Sequence, residues 1–263
     1  MTSVTATATA GDGASPAQLH SVLSALEVLD CFMTSDELGV TEVARRLGVA
    51  KSTAHRLLST LCARGVVQRI PATGHYRLGL HLWELGQLVQ DRAPVRHLAL
   101  PLLEELRLRT GHTAHLAIAD GPDVVFVERI QALSGIALFG ERQRRVPLHT
   151  TSAGKALAAF NPEHSRARVE AGFPALTSHT IRSAEEWTAC LAEVVGRGLA
   201  VSDSENLTGL ASIAAPVIDT SGLAVAAVSV AGPSPAILGS LDRHARVVMV
   251  TAARLSQRLG GRG

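Results

Sequence analysis

Aromatic side chains are scarce, at 3% of 263 residues, so a chain that is 46% hydrophobic must build its cores mainly from Ala, Val and Leu. Cysteine is rarer still. Cys31, Cys62 and Cys190 are odd in number, far apart and outside any CxxC spacing. That argues against a disulfide framework or a structural zinc site, and the three are expected as small buried thiols in a reducing cytoplasm. Long apolar runs are missing too: none approaches the ~20 residues that cross a bilayer. The opening "MTSVTATATAGDGASP" lacks the basic start and apolar centre of a signal peptide. Being small and polar, residues 1–15 read as a disordered arm. The last shortage is local. Between residues 41 and 80 the bases Arg45, Arg46, Lys51, Arg56, Arg64, Arg69 and Arg77 face one acid, Glu42. That window carries a net +6 in a chain whose total is +2, leaving −4 for the rest. Such concentration of charge suggests a polyanion partner for one segment.

The elements around that window are short. Ser15-Pro16 is a helix start, followed by Leu19, Val22, Leu23, Leu26 and Leu29 at helical spacing. Thr41 is placed to cap a second helix that turns Val43, Ala44 and Leu47 inward. Gly48-Val49 makes a corner, and Ser52 is placed to cap a third helix packed through Ala54, Leu57, Leu58 and Leu61 and ended by Gly65. Two strand-like runs then flank Pro71-Ala72-Thr73-Gly74. Three helices and a basic hairpin describe a winged helix-turn-helix over residues 16–80. Residues 81–93 form a linker helix. Residues 94–263 form a separate domain of helices and antiparallel hairpins around one sheet, which makes the chain α+β. It opens with a long helix that Pro101 should bend or split. Strands are expected at "TAHLAIAD", "DVVFVERI", "GIALF", "LAVSDSE", "ASIAAPVID" and "LAVAAVSVAG", with helices at "TSAGKALAAF", "AEEWTACLAEVVGRG" and the C-terminus.

A helix-turn-helix offers the N-terminal residues of its second helix to base edges in the major groove. Those residues are Lys51, Ser52, Thr53, His55 and Arg56. Arg64, Arg69, His75 and Arg77 flank them, and Thr41 and Arg45 lie on the supporting helix. The competing reading is a solvated basic hairpin; the wing and the nearly unopposed charge favour duplex DNA. Tyr76 is expected to pack the wing, since one aromatic is not a stacking platform.

"VTEVARRLGVAKSTAHRLLSTLCARGVV" resembles the DNA-binding half of IclR-type bacterial transcriptional regulators. "YRLGLHLWELG" resembles their wing-to-linker passage, and "VPLHTTSAGKALAAF", "GLAVSDSENLTGLASIAAPVID" and "VAAVSVAGP" resemble their effector domain. The resemblance implies a GAF-like C-terminal domain that binds a small organic molecule. It also implies homodimers or tetramers on pseudo-palindromic operators. It further implies ligand contacts at Ser202, Asp203, Ser212, Ser229 and Ala231. Here Ser202, Ser212 and Ala231 depart from the common acid, cysteine and serine. Fewer polar groups then surround the ligand than in relatives that bind very small oxo-acids, so a larger, partly apolar acid, aromatic in kind, is expected.

Read by itself, "HTTSAGKAL" leads small polar residues into a helix. The first amides at Thr151, Ser152, Ala153 and Gly154 then either receive a carboxylate or belong to a simply capped helix. Gly154 would let a ligand approach the backbone, His149 stands beside the site, and Lys155 reads as a surface or interdomain residue. It is not a P-loop, because the GxxxxGK[ST] spacing is absent. Leu116, Ile118, Phe126, Ile136, Leu138 and Phe139 are either pocket wall or core. His112 and His115, three apart near a strand, point to opposite faces and cannot share one ion, so no metal and no cofactor is expected. No GxSxG elbow or activated cysteine is present, so no catalytic residue is assigned. The expected function is a ligand-controlled repressor of catabolic genes, with duplex operator DNA and a small organic acid as partners and no membrane. The alternatives are a sensor whose helix-turn-helix only docks protein, and a metabolic enzyme with an appended basic domain.

Overall fold

The structure is a computed structural model that describes residues 19–91, 94–132 and 144–261. The chain divides into two compact units, residues 1–87 and 88–263. In the first, α1 (His20–Cys31), α2 (Val40–Leu47) and α3 (Lys51–Ala63) precede the antiparallel pair β1 (Val67–Arg69) and β2 (Tyr76–Leu78). Gly48 ends α2 at φ 67, and the Val49 amide reaches back to the Ala44 carbonyl at 3.0 Å, which makes the corner into α3. Val43, Ala44, Ala54 and Leu58 meet Val28, Phe32, Leu38, Val67 and Tyr76 in the core. The Tyr76 and Leu38 backbones exchange two 2.9 Å hydrogen bonds, which holds the wing on the three helices. Tyr76 is spent on packing, as expected.

Three local expectations change. Thr41 and Ser52 are not caps. Each helix starts two residues earlier, after Gly39 and Ala50, whose extended backbones already aim their carbonyls along the helix. The α1 stripe of Leu19, Val22, Leu23 and Leu26 is exposed, while Val28 and Phe32 are buried. Periodicity finds an apolar stripe but not the surface that covers it. The three cysteines are free and only half-buried.

Helix α4 (Leu80–Asp91) crosses the boundary between the units with Leu80, Trp83, Leu85, Leu88 and Val89 exposed. In the second unit, α5 (Pro94–Thr110) leads into the hairpin β3 (Thr113–Asp120) and β4 (Asp123–Ile130), then β5 (Arg145–Pro147) and a 3-10 turn, Leu148–Thr150. Next come α6 (Ser152–Ala159), α7 (Pro162–Ala171), α8 (Ala184–Arg197), β6 (Ala200–Asp203), β7 (Leu210–Ile218), β8 (Ala224–Pro233), α9 (Ser234–Leu238) and α10 (Leu241–Arg258). The strands form one antiparallel sheet in the order β5-β4-β3-β8-β7-β6. One face packs on α5 and α10 through Leu106, Leu116, Ile213, Val228 and Leu255. The other packs on α6 through Ala117, Phe126, Leu157, Ala214 and Ala227.

Pro101 does not split α5. Both its ring and His97, whose carbonyl it cannot serve, lie on the exposed side, open to solvent, so the missing bond leaves no buried carbonyl. Helix α7 was not anticipated, although Asn161 accepting the Glu163 amide, with Pro162 next, is a legible start signal. The arm 1–15, the start at Ser15-Pro16, the strand "GIALF", and with it Ile136, Leu138 and Phe139, lie outside the described residues.

Candidate nucleic-acid interface and ligand-facing sheet

All eleven side chains expected at DNA are exposed: Thr41, Arg45, Lys51, Ser52, Thr53, His55, Arg56, Arg64, Arg69, His75 and Arg77. Their charges are not equally available. Glu42 accepts two hydrogen bonds from Arg45, at 3.0 and 2.6 Å, and one from Arg46 at 2.8 Å. Those guanidinium bonds hold the Glu42 carboxyl down at about 2. Arg46 also donates to the Cys31 carbonyl, Thr34 and Ser35, tying α2 to the end of α1. Arg77 donates to Gln68 across the wing. Among the described residues Lys51, Arg56, Arg64 and Arg69 have no ion-pair partner. Because Ala50 brings no capping side chain, the first amides of α3 stay open beside Lys51 and Arg56.

In the second unit the sheet register decides which side chains meet. Ser202, Ser212, Ala231 and Thr113 pair in one row across β6, β7, β8 and β3. The Ser152 hydroxyl, at the start of α6, donates to Ser212 at 2.7 Å, and Ser202 donates to the Thr150 carbonyl at 3.2 Å. Two residues along, Ala200, Ala214, Ser229, His115 and Arg129 form a second row. His115 and Ser229 are buried, and the His115 ring lies 4.9 Å from that of Phe126. Thr151 caps α6 by accepting the Gly154 amide at 3.1 Å.

Two family models cover most of the chain. The IclR helix-turn-helix domain matches residues 21–71, and the bacterial transcriptional regulator IclR C-terminal domain matches residues 87–257. The chain belongs to the IclR family of bacterial transcriptional regulators. The HTH-type transcriptional regulator XynR of Escherichia coli (strain K12) is 35% identical over 214 residues, covering 80% of this chain and 85% of its own length. A glycerol operon regulatory protein of Streptomyces griseus is 35% identical over 196 residues, 74% of this chain and 77% of its own. The crystal structure of an IclR homolog complexed with 4-hydroxybenzoate, from Microbacterium hydrocarbonoxydans, superposes with a TM-score of 0.79 at 24% identity, covering 91% of this chain and 99% of that one. Such relatives are transcriptional regulators, so this IclR-family chain is a DNA-binding regulator rather than an enzyme.

Several expected ligand contacts of this IclR-family chain lie elsewhere. Leu116 points to the α5/α10 face, away from α6, because β3 alternates sides. Alternation also turns Asp203 away from Ser202; its carboxylate accepts from Ser204 and Ser234 at 3.1 and 2.6 Å. His149 is buried against Phe173 at 5.3 Å. Its Nε2 lies 3.1 Å from the Pro174 carbonyl, so that nitrogen carries the hydrogen. Burial, ahead of the Arg168 and Lys155 charges, pushes its pKa down to about 4. A neutral ring held this way offers no positive charge to a carboxylate. Lys155 is no surface residue: it is buried, with Nζ 2.6 Å from Glu205 and 3.1 Å from the Val201 carbonyl. Leu138 is outside the described residues. Ser152, Ala153, Ser202, Ser212, Ser229, Ala231 and Phe126 remain on the α6 side.

Gly154 serves packing rather than ligand approach. A Cβ there would sit 2.1 Å from the Leu148 carbonyl oxygen and 2.6 Å from its carbon, and both atoms are backbone. Gly154→Ala should therefore destabilise the second unit by about 1–3 kcal/mol, the usual cost of overpacking. Urea unfolding followed through buried Trp187 measures this; an unchanged midpoint would contradict the packing role.

His115, Arg129 and Glu205 were not foreseen as neighbours of the site. Strand alternation marks His115 as facing one side of the sheet, but only the register with β8 and β4 puts it between Ser229 and Arg129.

Proposed function

We propose that the chain is a cytoplasmic, ligand-released repressor of catabolic genes, acting as a dimer or a pair of dimers on a two-fold operator. The observation that carries the DNA contact is the start of α3, where Lys51 and Arg56 stand beside open first-turn amides with Arg64 and Arg69 nearby. Amides and cations together suit phosphate, and arginine suits guanine. Helices α1 and α4 supply exposed apolar stripes, Leu19, Val22 and Leu26 on one and Leu80, Trp83 and Leu88 on the other, of the kind a second copy covers. Half-sites would then lie about one helical turn apart, or a multiple of it.

The effector is proposed to be a small organic acid held between α6 and the Ser212 and Ser229 rows. Phe126 and Ala231 favour an aromatic body. The 4-hydroxybenzoate of the Microbacterium structure is the first acid to try, and the glycerol operon relative supports a catabolic target. Ligand need shift the spacing of the DNA-binding units by only ~1–3 kcal/mol of coupling to release DNA. Cytoplasmic location is supported by the regulator relatives and by the lack, among the described residues, of any helix long and apolar enough to span a membrane.

Arg56→Ala should weaken binding to a specific operator by about 5–150-fold, from ~1–3 kcal/mol for a bidentate base contact. The measurement is a gel shift at fixed salt with circular dichroism to confirm folding. Unchanged affinity would remove Arg56 from the interface, and a flat salt dependence of the parent would favour protein docking over DNA.

A further inference from the structure

The one acid among the seven bases between residues 41 and 80 is not left to solvent. Glu42 takes two hydrogen bonds from Arg45, Nε to Oε2 at 3.0 Å and Nη2 to Oε1 at 2.6 Å, the bidentate geometry of a guanidinium on a carboxylate. Its Oε1 also accepts the Arg46 Nε at 2.8 Å. Arg46 is fixed at its other end. Its Nη1 donates to the Cys31 carbonyl at 2.8 Å and to Thr34 at 3.0 Å, and its Nη2 donates to Ser35 at 2.9 Å. The end of α1 therefore holds Arg46, Arg46 holds Glu42, and Glu42 holds Arg45. A helix pair three or four residues apart adds little stability by itself, and it does not require an anchor on a second helix.

Helix periodicity says where Arg45 stands. Thr41, Arg45 and Gly48 share one face of α2, away from Val43, Ala44 and Leu47, which pack the core. That face runs into the corner before Lys51, where α3 begins. In a helix-turn-helix the first helix crosses the DNA backbone while the second reads bases. The Arg45 side chain is 71% exposed, and its Nη1 makes no hydrogen bond among the described residues. A guanidinium whose plane is already fixed thus keeps one nitrogen for a phosphate oxygen. The same carboxylate offsets the charge that Arg45 shows to any polyanion. Binding without sequence preference rests on charge alone, whereas a specific complex also rests on register, which phosphate contacts set. An acid at this point weakens the first more than the second.

We infer that Glu42 is a positioning residue that sets DNA specificity: it aims Arg45 at one operator phosphate and withholds that charge from duplexes bound in other registers. This rests on α3 entering the major groove, as proposed above.

Glu42→Gln keeps the size and one acceptor oxygen but gives up the charge. Fluorescence anisotropy on the full chain, over a salt series, compares a duplex selected from a random pool by the parent protein with a scrambled duplex of equal length. Glu42→Gln should tighten the scrambled duplex by up to about eightfold per bound chain at about 0.1 M salt and steepen its salt slope by about 0.9 per bound chain, the effect of one added phosphate contact. Binding to the selected duplex should stay level or weaken, so the ratio of the two affinities falls by about threefold or more. Adding Arg45→Gln should cancel the gain on the scrambled duplex. Melting temperatures report any loss of fold. Should Glu42→Gln unfold, Arg45→Gln alone carries the test, and it should weaken the selected duplex more than the scrambled one. An unchanged ratio overturns the inference, as does a gain that survives without Arg45. In both cases the parent's preference for its selected duplex would leave the α3 contact standing. A pool that yields no preferred duplex would overturn that contact and the inference together.

Discussion

Lys155→Ala should unfold the second unit about 3–5 kcal/mol more easily, the cost of breaking one partner out of a buried ion pair. Lys155 is buried and the Glu205 side chain only 12% exposed, and their 2.6 Å contact joins α6 to the turn after β6. That turn is shaped to bring the carboxylate back. Ser204 sits at φ 59, in the left-handed region that a non-glycine residue rarely adopts, and accepts the Gly209 amide at 3.1 Å. Thr177 and Thr180 donate to the Ser204 and Glu205 carbonyls at 2.7 Å each. Burial raises the Glu205 pKa while Lys155 pulls it down. Without the ammonium the carboxyl would take up a proton, so the loss in Lys155→Ala should shrink as pH falls. The double change Lys155→Met with Glu205→Leu should recover much of the stability, because apolar replacements of similar size remove both desolvation costs. Urea unfolding in a Trp83→Phe background isolates the signal of Trp187, which is fully buried in the second unit. A single variant within 1 kcal/mol of the parent, on the scale of a surface pair, would show that the pair holds nothing together.

Acid should destabilise the same unit well above the range in which carboxylates titrate. His115 and His149 are buried, and burial depresses their pKa values to about 3 and about 4. In the unfolded chain a histidine titrates near 6.5. Above that value neither state is protonated and the stability is complete. As pH falls below it, the unfolded chain binds two protons that the folded chain refuses, so stability is lost towards the folded values. Each group contributes ~1.4 kcal/mol per pH unit, so a drop from pH 7 to pH 5 removes about 4 kcal/mol. Glu205 works in the opposite direction, since its raised pKa means that acid relieves it. A comparison of variants removes that background. His115→Gln should lower the pH slope between 6 and 5 by one proton's worth, about 1.4 kcal/mol per pH unit, whatever its effect at pH 7. An unchanged slope would mean that His115 is protonated in the folded state.

Short-range signals explain what was legible in advance. The Gly48 corner, the Ala54/Leu58 spacing, the turn before Tyr76 and the massed bases between Arg45 and Arg77 each need only a few neighbouring residues to declare themselves. The strands over Thr113–Asp120 and Asp123–Ile130 showed for the same reason, as did the helix after Thr151. What misled was also local: Thr41 and Ser52 have the right chemistry for caps, but the backbone two residues earlier turns first. Gly154 has the right chemistry for a ligand cradle, but Leu148 comes back against it.

By itself, then, the sequence determined the kind of molecule: a winged helix-turn-helix with exposed cations, joined to an α+β unit of IclR type. Those features follow from periodicity, charge and turn chemistry, which act within about ten residues. Only the tertiary structure decided which side chains share the ligand-facing side of the sheet. Ser152 meets Ser212 across 60 positions, and Lys155 meets Glu205 across 50. His115 joins Ser229 and Arg129 only through strand register. A one-residue slip in that register would turn each strand's side chains to the opposite face, and the register is held by the packed core as a whole rather than by any stretch that can be read alone.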